Sequence, residues 1–306
     1  MNEKKPMKIR LYIVTYKKHE VLNKNLASLW ESEFGKHDLE VTVLSNHSEV
    51  IIDSINERHN LRVVINTVRS PLAWGCLSKD WNYSLLDGFK HSTNPDKVDW
   101  VILAQNDVIW KPGWVNYLDN DRKHDFISQP RGDQAMAFRV EGLRKVGFFD
   151  ERFTTLHYQE IDYFYRAMLS LGARCSINDD HLGDKSNWNP IGCELIVNTF
   201  SGFEENDNLH TSKSHLELKN LFLAKWRIGE AAIHDIQTFG RSVGKDLSFM
   251  ASEINWYPFF WEGSDTSALR FSKAYESPAL PIYLRCSRRL KVMFPRLHGL
   301  LRRVIR

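Results

Sequence analysis

Short apolar runs alternate with segments of helical periodicity along the first third of the chain. Runs with the length of a buried strand occupy 8–16, 39–44, 61–68 and 100–104. Between them, apolar positions at roughly helical spacing predict helices at 21–32 and 76–89. This alternation predicts an α/β fold, in which a mostly parallel central sheet has helices on both faces.

Polar residues stand where three of the predicted strands end. Thr15 ends the first strand, Ser45 the second, and Asp107 follows the fourth within the turn Gln105-Asn106-Asp107. Ligands of parallel sheets bind beyond the carboxyl ends of the strands. We therefore expect these residues to line a binding site.

The later part of the chain has a different organisation. After Gly172 the strand pattern gives way to a helical stretch, an aromatic and loop-rich stretch, and a basic tail. We expect a main α/β domain at 1–230, a helical and aromatic extension at 231–281, and an amphipathic helix at 282–306.

Composition excludes several classes of protein. The net charge of +3 over 306 residues is too small to indicate nucleic-acid binding. No segment approaches the roughly 18 apolar residues of a membrane span. A disulfide framework or a zinc site is not expected, because the cysteines are far apart and form no ligand motif; they are Cys76, Cys175, Cys193 and Cys286. We therefore expect a protein of the reducing cytoplasm.

The stretch 101–114 (VILAQNDVIWKPGW) combines an apolar strand with an acidic turn. A hard divalent cation needs oxygen ligands, and it can bridge two phosphates and neutralise the charge of a departing diphosphate. Asp107 is the candidate ligand for Mg2+ or Mn2+. The alternative is an ordinary turn, because Asn-Asp after a strand is common turn chemistry.

The stretch 146–166 leads through a glycine-started loop into a helix with acidic residues in its first turn. Glu160 is the candidate base that removes a proton from an attacking hydroxyl group, and the neighbouring Tyr158 is expected to contact the acceptor. We assign Asp162 to the same acceptor side, where it pairs with Arg166 at i,i+4 or caps the helix. The alternative for both acids is stabilisation of the helix start by the macrodipole.

Together these two stretches resemble the motifs of GT-A glycosyltransferases of the family 2 type, in particular the bacterial polysaccharide and rhamnosyltransferase-like branch. The resemblance covers roughly 8–230. It includes the Asp-x-Asp-like turn followed by Pro-Gly-Trp, and the Gly-x-Phe-Asp-Glu-x-Phe stretch at 147–153 that precedes Glu160. The resemblance implies a Rossmann-like sheet, a nucleotide-sugar donor and a divalent metal.

The resemblance also implies roles for residues of the donor pocket. Thr15 and Tyr16 match the Thr-Tyr pair that lines the nucleotide pocket, and Asn106 matches a position of the Asp-x-Asp-like turn. Lys79 and Asn82 match the basic residue and the asparagine that face the pyrophosphate.

Two positions depart from the family pattern. Ser45, also placed in the donor pocket, stands where an aspartate usually meets the base, and Gln159 stands where a glutamate is usual. These departures leave the identity of the nucleotide open. They also leave open a catalytically silent scaffold that binds nucleotide or membrane.

Two further residues match the family in the later part of the chain. His181 matches a histidine that completes the metal coordination or bonds a phosphate; a surface histidine, or Asp179 or Asp180 as the ligand, are the alternatives. Lys225 matches the lysine of a Lys-Trp ending and either reaches the diphosphate or is a solvated helix lysine.

The tail 282–306 carries eight basic residues and no acidic residue, with apolar residues at helical spacing. This pattern predicts a helix that lies on an anionic membrane surface. A helix packed on its own domain and a nucleic-acid-binding arm are the alternatives.

The sequence therefore predicts an inverting, metal-dependent glycosyltransferase. Its donor would be a nucleoside-diphosphate sugar and its acceptor a lipid-linked glycan of bacterial surface polysaccharide synthesis. We expect it on the inner face of the cytoplasmic membrane, held through 282–306, with no nucleic-acid partner. A nucleotidyltransferase on a similar sheet is the other enzymatic alternative.

Overall fold

The computed structural model describes residues 5–66, 77–90, 98–129, 134–153, 158–177, 194–198 and 212–226. The predicted extension at 231–281 and the tail at 282–306 lie outside the described residues. In chain order the elements are β1 (Lys8–Thr15), α1 (His19–Glu31), β2 (Asp38–Ser45), β3 (Leu61–Ile65), α2 (Leu77–Lys90), β4 (Trp100–Gln105), β5 (Val108–Trp110), α3 (Trp114–Asn120), β6 (Phe126–Gln129), β7 (Ala135–Phe138), α4 (Val140–Val146), α5 (Tyr158–Leu171), β8 (Cys175–Ile177), β9 (Ile196–Asn198) and α6 (Ser212–Trp226).

The main sheet has the strand order β3-β2-β1-β4-β7-β6-β8 within the described residues. β1 pairs in parallel with β2 and β4, and β2 pairs in parallel with β3. β7 is antiparallel to β4 and β6, and β6 is parallel to β8. The predicted mostly parallel sheet is confirmed, with one antiparallel strand inserted near its centre.

Alternation along β1 sends side chains into two separate cores. Ile13 packs in the layer that contains Leu26 of α1. Val14 packs in the opposite layer with Trp81 of α2 and Phe164 of α5. The predicted arrangement of helices on both faces is therefore confirmed, and each large side chain sealed in these layers contributes about 1.5–3 kcal/mol.

Helix α2 approaches the sheet closely at Gly88. A Cβ atom at this position would lie 2.6 Å from Cγ2 of Val101 on β4. The contact requires a residue without a side chain, and it fixes the depth at which α2 packs.

Within the described ranges, no helix has both the length and the apolar character needed to cross a bilayer.

Candidate active site

The turn after β4 carries Asp107 at the carboxyl edge of the sheet, where it is 4% exposed. The preceding Asn106 donates from Nδ2 to Oγ1 of Thr15, the last residue of β1, at 2.9 Å. The chain leaves β3 at one edge of the sheet and returns on the other side of β1 as β4. The Thr15–Asn106 bond therefore lies at the topological switch point, where open α/β sheets bind ligands.

Helix α1 holds this turn from one side. Asn25 Nδ2 donates to the Gln105 carbonyl at 3.1 Å, and Asn25 Oδ1 accepts from Trp110 Nε1 at 2.9 Å. Ser28 Oγ accepts from the Trp110 backbone N–H at 3.0 Å. Because α1 bonds both ends of the stretch 105–110, Asp107 is presented from a fixed backbone.

The residues that directly follow β2 and β3 contact a carboxylate that the sequence motifs did not indicate. Asp80, in the first turn of α2, accepts from Asn46 Nδ2 at 2.5 Å and from Asn66 Nδ2 at 3.4 Å. Asp80 is 1% exposed. Ser45 stands at the end of β2 where the motif resemblance would place an aspartate, and α2 brings the Asp80 carboxylate to the same region. An acid in the first turn of a helix that follows a strand is the one signal that could have indicated it.

Ser45 and Tyr16 form the neighbouring part of this edge. Ser45 Oγ donates to the His47 carbonyl at 2.9 Å and accepts from the His47 N–H at 3.2 Å, which closes a local turn. The Tyr16 ring meets the His47 ring edge to face, with centroids 5.8 Å apart. Tyr16 is half-buried and Ser45 is buried.

The two α2 residues assigned to the donor pocket have different surroundings. Lys79 is exposed. Asn82 is buried, and its amide contacts the loop between α4 and α5, through Phe149 and Glu151. The sequence motif alone gave no indication of this contact.

The first turn of α5 contains the proposed acceptor-side residues. Glu160 is 9% exposed. The Tyr158 ring is buried against Phe222 of α6, with centroids 5.5 Å apart. Gln159 is buried, and its side-chain amide has no hydrogen-bond partner among the described residues.

Asp162 forms the pair that its spacing predicts. Its Oδ2 accepts from Arg166 Nε at 3.0 Å, and both side chains are fully buried. Arg166 Nη1 donates to the Val146 carbonyl at 2.8 Å, so the pair ties α5 to the end of α4. The predicted i,i+4 pairing is therefore confirmed. An acceptor contact by Asp162 stays a prediction.

Tyr163 and Tyr165 of α5 are not acid–base candidates at neutral pH. Burial raises the pKa of Tyr163 and of Tyr165 above the ordinary value of a phenol, and both remain protonated. Glu160 is the acidic residue in the first turn of this helix, and it is therefore the candidate base that α5 offers.

The donor set around Asp107 suits a hard cation. The turn offers oxygen ligands in the buried Asp107 carboxylate and the Asn106 amide, and Mg2+ commonly takes one or two carboxylates together with substrate phosphates. The described residues contain no group of three or more acidic, histidine or cysteine side chains that could hold a metal alone. His181 lies outside the described residues. Lys225 belongs to α6, and its side chain is not among those described.

The chain is similar to solved structures that include glycosyltransferases. The mannosyltransferase PcManGT from Pyrobaculum calidifontis, in complex with GDP-Man and Mn2+, is 13% identical; the match covers 95% of this chain and 82% of that one, with a TM-score of 0.47. S. aureus TarS 1–349 in complex with UDP-GlcNAc is 14% identical over 87% of this chain and 77% of that one, with a TM-score of 0.49. Against a longer S. aureus TarS chain the identity is 13%, the TM-score is 0.49, and the match spans 78% of this chain but 43% of that one.

No family model matches the chain, and no curated protein matches its sequence. Function on such sheets is set by the residues of the site rather than by the fold.

Proposed function

We propose that the chain is an inverting glycosyltransferase that transfers a sugar from a nucleoside diphosphate to a glycan acceptor. The observation that carries the proposal is the row of polar groups at the β1/β4 switch point, where Thr15 and Asn106 are bonded beside the buried Asp107. A nucleotide sugar bound there would place its diphosphate next to Asp107.

Residues of this edge would bind the donor. Thr15, Tyr16 and Ser45 would line the nucleotide, and Asp80 would hold Asn46 in place beside them. Lys79 and Lys225 are the proposed cationic partners of the diphosphate. Asp107, with His181, would hold a Mg2+ or Mn2+ ion that neutralises the negative charge of the leaving diphosphate.

Glu160 would act as the general base. The acceptor hydroxyl oxygen attacks the anomeric carbon, its proton passes to the Glu160 carboxylate, and the bond from the anomeric carbon to the diphosphate oxygen breaks. Attack opposite the leaving group inverts the configuration. This step requires Asp107 and Glu160 to face one cleft, with Tyr158 and Asp162 on the acceptor side.

We further propose that the acceptor is a lipid-linked glycan of bacterial surface polysaccharide synthesis. The acid-free basic tail at 282–306, with its apolar positions at helical spacing, supports docking to the inner face of the cytoplasmic membrane.

The test is release of nucleoside diphosphate from a panel of UDP-, dTDP- and GDP-sugars, with Mn2+ or Mg2+ and with chelator as the control. Glu160→Gln should lower kcat by about 10²- to 10⁴-fold and leave donor affinity unchanged. Glu141→Gln is the matched control, because Glu141 is an exposed acid in the first turn of α4. Asp107→Ala should raise the metal concentration needed for half-maximal rate by more than about tenfold.

Three results would contradict the proposal. A wild-type protein that binds nucleotides and releases no diphosphate from any donor would be a silent scaffold, whereas release of pyrophosphate would indicate nucleotidyl transfer. A Glu160→Gln variant with the wild-type rate would place the base elsewhere.

A further inference from the structure

The side chain of Asn82 on α2 bonds both backbone polar groups of Phe149, in the loop that leads to α5. Its Nδ2 donates to the Phe149 carbonyl at 2.9 Å, and its Oδ1 accepts from the Phe149 N–H at 2.8 Å. The same Nδ2 also donates to Glu151 Oε1 at 3.0 Å. Both N–H groups of the amide are therefore engaged, and the residue is 5% exposed.

A second bond from α2 holds the other end of this loop. Ser78 Oγ, one helical turn before Asn82, donates to the Phe153 carbonyl at 3.1 Å. The Trp81 ring packs on the Phe149 ring with centroids 4.8 Å apart. Three neighbouring residues of one helix thus fix the stretch 149–153.

The position of Phe149 is transmitted to α5 by direct packing. Its ring stacks on that of Tyr163, with centroids 4.2 Å apart and planes inclined by 24°. Tyr163 lies three residues after Glu160, about one helical turn away. The ring stack therefore sets the rotation and depth of the helix turn that presents Glu160.

We propose that Asn82 is a positioning residue that holds Glu160 in its reactive place through Phe149 and Tyr163. The inference rests on the proposed function of Glu160. It assigns Asn82 to the acceptor side of the reaction, whereas the motif resemblance assigned it to the pyrophosphate. A displacement of about 1 Å at a catalytic group can lower a rate by about 100-fold.

The variants are Asn82→Ala and Asn82→Asp, each compared with the same change at Asn56. Asn56 is a matched control because it is equally buried and its Nδ2 also donates to a backbone carbonyl and a side-chain oxygen, both of Asn23. Ser78→Ala is a milder second variant that removes one bond from the same loop and keeps the Asn82 amide.

The measurements are kcat and KM for diphosphate release from the nucleotide sugar that the panel shows to be turned over. We expect Asn82→Asp and Asn82→Ala to lower kcat by about 10- to 100-fold, with donor KM within about twofold of wild type. Ser78→Ala should lower kcat by a smaller factor, and the Asn56 variants should keep the wild-type kcat. If replacing any buried asparagine lowered the rate by unfolding part of the protein, the Asn56 variants would lose rate as well.

Two outcomes would overturn the assignment. A raised donor KM with unchanged kcat in the Asn82 variants would return Asn82 to the pyrophosphate. An unchanged kcat and KM in folded variants would remove it from the site.

Amide hydrogen exchange separates this inference from the proposed function. The Phe149 N–H and the first amides of α5 should exchange faster in Asn82→Ala than in wild type or in Asn56→Ala. If no donor in the panel is turned over, the proposed function fails while the exchange result still decides whether Asn82 holds the loop. Unchanged amide exchange would refute the proposal that Asn82 holds the loop, even if the enzyme is active.

Discussion

Removing the carboxylate of Asp162 should destabilise the protein strongly. Asp162 and Arg166 are both fully buried, and Arg166 Nε lies 3.0 Å from Asp162 Oδ2. Arg166 also donates to the Val146 carbonyl, and its guanidinium carbon is 4.9 Å from the Tyr163 ring centroid. Asp162→Ala would leave this guanidinium group buried without its counter-ion.

The magnitude follows from charge and burial. At an effective dielectric constant of about 20, unit charges 3.0 Å apart attract by about 5–6 kcal/mol. Desolvation of the two ions offsets most of this in the intact pair, but a single deletion leaves the remaining charge desolvated and costs about 3–5 kcal/mol. Replacing both residues, as in Asp162→Leu with Arg166→Met, should cost about 1–3 kcal/mol, because the Val146 carbonyl loses the hydrogen bond from Arg166.

Urea unfolding followed by tryptophan fluorescence would measure these losses as midpoint shifts at constant slope. Asp38→Ala is the control, because Asp38 is exposed, lies 3.8 Å from the partly exposed Lys8, and should contribute less than about 1 kcal/mol. The reasoning is refuted if Asp162→Ala costs as little as Asp38→Ala. It is also refuted if the double variant costs as much as the two single losses added together.

Three further predictions concern stability and location. Burial tends to raise the pKa of Asp121, but hydrogen bonds from His124 and Lys123 outweigh this effect and lower that pKa. The resulting stabilisation is present above about pH 4 and is lost as the pH falls further. Asp121→Asn should therefore flatten the acid limb of a plot of unfolding free energy against pH. Gly88→Ala should lower the free energy of unfolding by about 1–3 kcal/mol through its clash with Val101, measured by urea titration. Deleting 282–306 should move the protein from membrane to soluble fractions on sedimentation; retention on membranes would exclude the tail as the anchor.

The first four strands, β1 to β4, were predictable because each lies in an apolar run of strand length. β1, β2 and β4 lie within one or two residues of the predicted bounds, since their buried sequences leave little choice of element. The five later strands, β5 to β9, were not predicted. Each has only three or four residues, and its place in a sheet depends on partners that a local pattern does not contain.

In the candidate site, too, contacts between residues close in sequence were predictable, and contacts between distant residues were not. The Asp162–Arg166 pair was predictable because both residues lie on one helix face. The contacts of Asp80 with Asn46 and of Asn82 with Phe149 join residues 34 and 67 positions apart. No motif reports such contacts, because they arise from the packing of α2 against the sheet and the loop.

The Thr15–Asn106 bond has a consequence for how the molecule is made. It joins residues 91 positions apart, and the strands beneath it pair over the same separation. Contacts of such high sequence separation form slowly, because the intervening chain must close into a loop first. A ribosome-bound chain that has not yet exposed β4 therefore lacks the switch point altogether. If the proposed donor site is correct, nucleotide affinity should appear abruptly during synthesis, when β4 docks beside β1.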